Sequence, residues 1–322
     1  MTIRAVNDDL IAHAITLLQS GECVVIPTET VYGLAADATN GQAVAKIFDI
    51  KGRPTFNPLI SHFYNLDHVR GYVDLNDDAL ALAQTFWPGP MTLITKRKDG
   101  CVIHDVTTAG LDTVAVRVPS HPTAQKIIRG ADIPLAAPSA NASGEVSPTS
   151  AMHVADSLGD KAPLIVADGF CDIGLESTVI DVSGDKAIIL RPGAITADQC
   201  ADTLGYDVDI DLGDKGDGVK SPGQLLKHYA PSTSVRLKAF DVNDGEALLA
   251  FGSTKFMPVS GIVDTHILNL SETGDLCEAA SNLFAYLRRL DQVGATSIAV
   301  MDIPNIGVGI AINDRLKRAS EK

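Results

Sequence analysis

No C-x-x-C pair occurs in this chain; its five cysteines, Cys23, Cys101, Cys171, Cys200 and Cys277, are odd in number and scattered. A disulfide framework and a zinc knuckle are both disfavoured, and a reducing compartment fits better. Cys23 stands in an apolar run, where a packed thiol outranks a nucleophile. No apolar stretch approaches a membrane span, and Met1-Thr2-Ile3-Arg4-Ala5 lacks the charged-then-apolar build of a signal peptide. A cytoplasmic location with no membrane partner is therefore expected. Positive charge is also short: 26 Lys and Arg against 40 Asp and Glu give a net charge of −14. Non-specific affinity for nucleic acid depends on clustered cations, so no stable nucleic-acid binding is expected. H-E-x-x-H and G-x-S-x-G are missing, which removes metalloprotease and α/β-hydrolase chemistry. Three partial motifs fail on inspection. Val219 separates Gly218 from Lys220 in a would-be P-loop, Gly307-Val308-Gly309 lacks the third glycine of a dinucleotide fingerprint, and Ser183-Gly184-Asp185-Lys186 lies in a turn between strands.

What is present is a soluble-protein composition, with 45% hydrophobic and 20% charged residues over 322 positions. That length exceeds one ordinary core and predicts two domains. The stretch from Cys23 to His62 organises the first. Cys23-Val24-Val25-Ile26 predicts a buried strand stopped by Pro27, and Thr28-Glu29-Thr30-Val31-Tyr32-Gly33 puts hydroxyls and a carboxylate at its carboxyl end, where open α/β sheets bind ligands. A helix capped by Asn40 or Thr39 buries Ala43, Val44, Ile47 and Phe48 and runs into Lys51-Gly52-Arg53-Pro54, where Pro54 keeps Arg53 out of α geometry. Two cations thus emerge at a helix end, followed by Asn57, Ser61 and His62, a setting for an anion.

Further helices are predicted after Asn7, Asn76, Ser147 and Thr196 and around Ala124–Ile128, with strands at Met91–Thr95, Thr113–Val118, Pro134–Ala137, Pro163–Asp168, before Asp181 and at Ile188–Leu190. Irregular spacing of strands and helices predicts a twisted mixed sheet with helices packed on it. Residues 207–218 are acidic and Gly-rich and predict a linker, closed by Gln224-Leu225-Leu226-Lys227-His228-Tyr229-Ala230-Pro231. Beyond it, strands at Val235–Leu237, Ala247–Phe251, Ile267–Leu270 and Ser297–Met301, with helices at Asp275–Leu290 and after Gly309, predict a smaller α/β, Rossmann-like domain with a mainly parallel sheet. The expected division is 1–205, a linker at 206–231, and 232–322.

Cations or hydroxyls recur just past strand ends, at Thr28/Thr30, Lys51/Arg53, Ser139/Asn141, Ser177/Thr178 and Arg191. Any one such cluster most simply serves its own turn. Together they point to a polar cavity for a phosphorylated or carboxylated ligand. Arg117, inside Val114-Ala115-Val116-Arg117-Val118, belongs by alternation on the wet face of a half-exposed strand.

Pro27-Thr28-Glu29-Thr30-Val31-Tyr32-Gly33-Leu34, Lys51-Gly52-Arg53-Pro54 with Asn57 and Pro58-Leu59, Pro138-Ser139-Ala140-Asn141 with Ser143-Gly144, Arg191-Pro192-Gly193 and His228-Tyr229-Ala230-Pro231 together resemble the YrdC-type threonylcarbamoyl-AMP synthases in their long form. The resemblance spans the whole chain and implies a YrdC-like catalytic domain of roughly the first 200 residues, followed by linker and appended domain. It implies synthesis of L-threonylcarbamoyl-AMP from L-threonine, bicarbonate and ATP with release of pyrophosphate, Mg2+ accompanying ATP. The product would go to transfer proteins that modify a tRNA adenosine beside the anticodon. Carried over by motif, Lys51, Arg53, Ser139 and Asn141 form the catalytic set. Thr30, His62, Arg117, Ala137 and Ser177 would hold threonine, with Arg117 on its carboxylate, against the expectation from alternation. Arg53, Asn57, Thr113, Ser139, Ser147, Arg191 and Tyr229 would hold the nucleotide, Tyr229 making the linker a lid. No protein ligand to a metal is implied. The alternative, an RNA-binding or ribosome-associated module using the same cavity, is disfavoured by the acidic charge. Hydrogenase-maturation relatives carry acylphosphatase and zinc-finger segments that this chain lacks.

Overall fold

The computed structural model describes residues 3–213, 229–255 and 263–321. Gln224, Leu225, Leu226, Lys227 and His228 of the expected linker lie outside them. Among the described residues no helix is long and apolar enough to cross a membrane.

Two sheets organise the described residues. The larger has twelve strands, in the spatial order Ile3–Ala5, Leu164–Ala167, Val24–Ile26, Gly33–Asp37, Leu135–Ala136, Ile60–His62, Thr113–Arg117, Met91–Arg97, Thr178–Asp181, Ile188–Arg191 and Asp209–Ile210, with Val73–Asp74 paired to Met91–Arg97. Parallel and antiparallel pairs are mixed along it, as the irregular helix spacing implies. The second sheet, in the order Ser234–Arg236, Ser297–Val300, Ala247–Ala250 and Ile267–Asn269, is parallel throughout. Helices Leu276–Asp291 and Gly309–Ser320 share its core with Val235, Leu249, Ile298 and Val300.

Side-chain caps fix the helix starts. Asn7, Asn40, Asn76 and Ser150 accept hydrogen bonds from first-turn amides, and Thr196 forms a capping box with Gln199. Asn40, rather than Thr39, caps the helix Gly41–Lys51. The helix expected from Ser147 starts later, at Ala151, because Ser150 takes the cap.

The larger sheet is covered on both faces at its centre. Val25, Leu34 and Ala36 belong to one core, and their neighbours Val24, Ile26 and Ala35 to another. This corrects the expectation for Arg117: Thr113–Arg117 is an interior strand with no wet face, and Arg117 is only 3% exposed. Ser61 and His62 are also part of this sheet. They end the short strand Ile60–His62, held between Thr113–Arg117 and Leu135–Ala136. The larger sheet closes with Asp209–Ile210, inside the segment expected to be linker.

Two glycines permit close approaches that a side chain would block. A Cβ on Gly174, whose φ is +71°, would stand 2.5 Å from the carbonyl oxygen of Ser281 on helix Leu276–Asp291. This contact seats the second unit against the first. A Cβ on Gly193 would lie 2.4 Å from Thr178 N and 2.8 Å from Glu176 O, so Arg191-Pro192-Gly193 packs directly on the start of strand Thr178–Asp181. Gly193→Ala must displace main chain, and we expect it to destabilise the protein by about 1–3 kcal/mol. Calorimetric melting measures this; an unchanged Tm would contradict so tight a seat.

Candidate active site

One register row across the sheet assembles the site. His62 pairs with Arg117, Arg117 with Thr92, Thr92 with Val179, and Val179 with Arg191. His62, Arg117 and Arg191 each end their strands. Arg117 and Arg191 thus stand in one row with two strands between them, and His62 is beside Arg117. They line a cavity of about 50 Å3.

Thr30, Arg53, His62, Arg117, Ala137 and Ser139 line this cavity. Glu176, Ser177, Arg191 and Tyr229 complete it. The other expected residues are elsewhere. Lys51, Asn57, Asn141 and Ser147 are buried behind the wall, and Thr113 is half-buried at the far end of Arg117's strand, opposite Lys96.

Each buried cation has identifiable partners. Arg117 donates to Glu29 Oε1 at 2.5 Å, to Thr30 Oγ1 at 2.9 Å and to Gly89 O at 3.3 Å. Thr30 is oriented in turn by Thr28, whose hydroxyl lies 2.9 Å away and accepts from the Thr30 and Val31 amides. Burial alone would raise the Glu29 carboxyl, but the adjacent Arg117 guanidinium holds it below the ordinary range.

The remaining cations have neutral oxygens among their partners. Lys51 donates to the carbonyls of Ser139 and Asn141 at 2.5 Å each. Arg53 donates to those of Asn57 at 3.4 Å and Pro58 at 3.1 Å. Arg191 donates to Ser177 O at 3.0 and 3.1 Å and to Ser177 Oγ at 3.1 Å, while Ser177 Oγ also pairs with Thr92 Oγ1 at 2.7 Å. Burial, then the charge of Arg53, pushes Lys51 well below the usual lysine range. Burial lowers Arg53 to about 10, so it stays charged at neutral pH.

Asn141 Nδ2 donates to Ala142 O and Glu145 O at 2.9 Å, shaping the turn after Ser139. Ser147 Oγ donates to Glu176 Oε1 at 2.5 Å. Ala137 gives its N–H to Ile60 O at 3.1 Å, so that amide is already engaged. Tyr229, with φ of +63°, is buried against Phe284, and Ala230 N donates to Gly144 O at 3.0 Å, which docks this part of the chain on the Ser143-Gly144 turn. Glu176 escaped sequence analysis as a wall residue, and Glu29, read there as a carboxylate at the ligand-binding strand end, was not recognised as the partner of Arg117. The available signal was their position, each a charge followed by a small hydroxyl residue beside a strand end.

His62 is buried with Nδ1 3.1 Å from Ile60 O. Burial, then the Arg117 charge, pushes it down to about 3. The unfolded chain therefore binds a proton that the folded one refuses between about pH 6.5 and 3. This contribution favours the unfolded state progressively as pH falls through that window and vanishes above it. We expect the His62 imidazole to show no titration above pH 5 by NMR; a step near 6.5 would place its ring in water.

A family model described as "Telomere recombination" matches residues 16–193, and one described as "Threonylcarbamoyl-AMP synthase, C-terminal domain" matches 195–321. A threonylcarbamoyl-AMP synthase of Pyrococcus abyssi is 38% identical over 314 residues, covering 94% of this chain and 92% of its own. One of Bacillus subtilis is 38% identical over 325 residues, covering 98% and 94%. The crystal structure of P. abyssi Sua5 complexed with L-threonine superposes with a TM-score of 0.89 at 35% identity, covering 99% of this chain and 98% of that one.

Proposed function

This chain belongs to the Sua5/YrdC family in its two-domain form, and from that premise we propose that it makes L-threonylcarbamoyl-AMP from L-threonine, bicarbonate or CO2, and ATP, releasing pyrophosphate. The observation that carries this proposal is the division of charge in and behind the cavity wall. Arg53 rests on carbonyl oxygens, which accept its hydrogen bonds without cancelling its charge, and Arg191 has the carbonyl and hydroxyl of Ser177 among its partners. Arg117 is matched by a carboxylate. A cationic wall seated on neutral oxygens suits a polyphosphate, and a paired guanidinium and carboxylate suit a zwitterion such as an amino acid.

In this reaction the threonine amine adds to CO2 with loss of a proton, or to bicarbonate with loss of water, to give a carbamate, and a carbamate oxygen attacks the α-phosphorus of ATP in line. The bond to the β-phosphate oxygen breaks and pyrophosphate leaves. No covalent enzyme intermediate is needed, so catalysis consists mainly of holding three reactants in register. Arg117 and Thr30 would take the threonine carboxylate, with Ser177, neutral His62 and the main chain at Ala137 completing that end. Arg53 and Arg191 would meet the phosphates and stabilise the departing pyrophosphate, with Ser139 and Tyr229 on the nucleotide. Lys51, Asn141, Asn57 and Ser147 would act from behind the wall, by fixing the Ser139 turn, Arg53 and Glu176. Thr113, at the far end of its strand, would need a ligand that extends well past Arg117.

Among the described residues no group of three or more His, Cys, Asp or Glu could hold a metal ion, and Glu176 is the one carboxylate lining the cavity. Mg2+ entering with ATP would accordingly be held chiefly by the phosphates, and would offset their charge. A volume of about 50 Å3 is far below that of pockets enclosing drug-sized ligands. Admitting ATP therefore calls for the cavity to widen, which would suit the lid role expected for Tyr229. The product would supply transfer proteins acting on the tRNA adenosine beside the anticodon.

Pyrophosphate release should require ATP, L-threonine and bicarbonate together. It should be abolished in Arg53→Ala. In Arg117→Ala the KM for threonine should rise about ten- to hundredfold, as befits loss of a charge-assisted contact. Release indifferent to threonine would refute the proposal.

A further inference from the structure

Arg315 belongs to the C-terminal helix Gly309–Ser320, yet its side chain is fully buried against the wall of the cavity. Its Nε donates to Glu176 Oε2 at 3.1 Å and its Nη1 to Asp314 Oδ2 at 2.7 Å. Asp314 Oδ1 accepts from Arg318 Nε at 3.0 Å. Glu176, already accepting from Ser147 Oγ, is thereby the inner end of a chain of alternating charge that starts in the second unit. The Arg315 guanidinium also sits 5.2 Å from the centre of the Tyr229 ring, which stacks on Phe284 at 5.5 Å and 22°. Glu176 and Tyr229 both line the cavity.

A carboxylate in the wall of a site for a triphosphate is a liability. Without a counter-ion, Glu176 would repel the ligand or take Arg191, which lines the same cavity, as its partner. We propose that Arg315 is a positioning residue for the nucleotide: it neutralises Glu176, keeps that carboxylate turned toward Ser147 and away from Arg191, and seats the Tyr229 ring. The appended unit thus completes the charge balance of the catalytic cavity. The inference rests on the nucleotide-binding function proposed above, and it assigns the second unit a role in ATP affinity.

The test uses the full-length protein and compares the parent with Arg315→Met, Arg315→Lys and the double variant Glu176→Gln/Arg315→Met. ATP affinity is read by titration calorimetry and KM and kcat by pyrophosphate release, with melting curves to establish folding. Arg315→Met should weaken ATP binding and raise its KM by about tenfold or more, while the KM for threonine moves less. Arg315→Lys, which keeps the charge and loses the fork, should fall between Met and the parent. The decisive expectation is rescue. A neutral amide in place of the Glu176 carboxylate needs no counter-ion, so the double variant should regain most of the lost affinity, whereas a residue that merely docks the two units would show no such repair. Should Arg315→Met not fold, Arg315→Lys against Glu176→Gln/Arg315→Lys makes the same comparison. ATP affinity in Arg315→Met within about twofold of the parent, or a double variant as weak as the single one, overturns the proposal. A parent that binds ATP but releases no threonine-dependent pyrophosphate refutes the synthase function and leaves the rescue test standing; a parent that binds no ATP overturns both.

Discussion

Burying three guanidiniums and a lysine amine near the middle of one sheet is the constraint on which the rest of this structure depends. An unpaired buried charge costs several kcal/mol or more, so each must find hydrogen-bond acceptors before the surrounding core can close. The solution is uneven. Arg117 takes a carboxylate, Glu29, whereas Lys51, Arg53 and Arg191 take main-chain carbonyls. Carbonyl oxygens come from turns, which explains why Ser139–Asn141, Asn57–Pro58 and Ser177 are irregular segments pressed against the ends of strands. Turns that look like mere connections are the ligands of the protein's own cations.

That arrangement also explains how the site was legible in the sequence and where it was not. Motif-bearing turns announced themselves through Pro, Ser, Asn and Gly past apolar runs, and helix starts through Asn7, Asn40, Asn76 and Thr196, because both signals are local. Arg117 could not be placed by alternation, since that argument presumes a strand with one wet face, and this sheet buries both. Ile60–His62 and Gly33–Asp37 escaped as strands for a related reason. The first is three residues ending in Ser and His, and the second is rich in Gly and Ala; both exist because neighbours pair with them on either side. Tertiary pairing, absent from any local window, supplied what propensity lacked.

Long-range charge pairing was the least legible part. Glu176 and Arg315 are 139 positions apart, and nothing in either neighbourhood marks them as partners. Glu29 and Arg117, 88 positions apart, share that property. In each case the carboxylate precedes a hydroxyl residue, Thr30 or Ser177, that itself faces the cavity.

The acidic exterior and the cationic interior answer different demands. A net charge of −14, taken alone, opposes a polyanionic substrate. Surface charges act through water and salt, which damp them beyond about 8 Å at physiological ionic strength. The cavity's cations act at contact, in surroundings of lower dielectric, where the same unit charge counts several times more. A small set of buried, carbonyl-held cations therefore outweighs a large excess of distant carboxylates for any ligand that enters the cavity. What threatens the balance is a carboxylate inside the cavity wall, where screening is weak. Glu176 is that carboxylate, and the second unit meets it with an arginine as deeply buried as the acid itself.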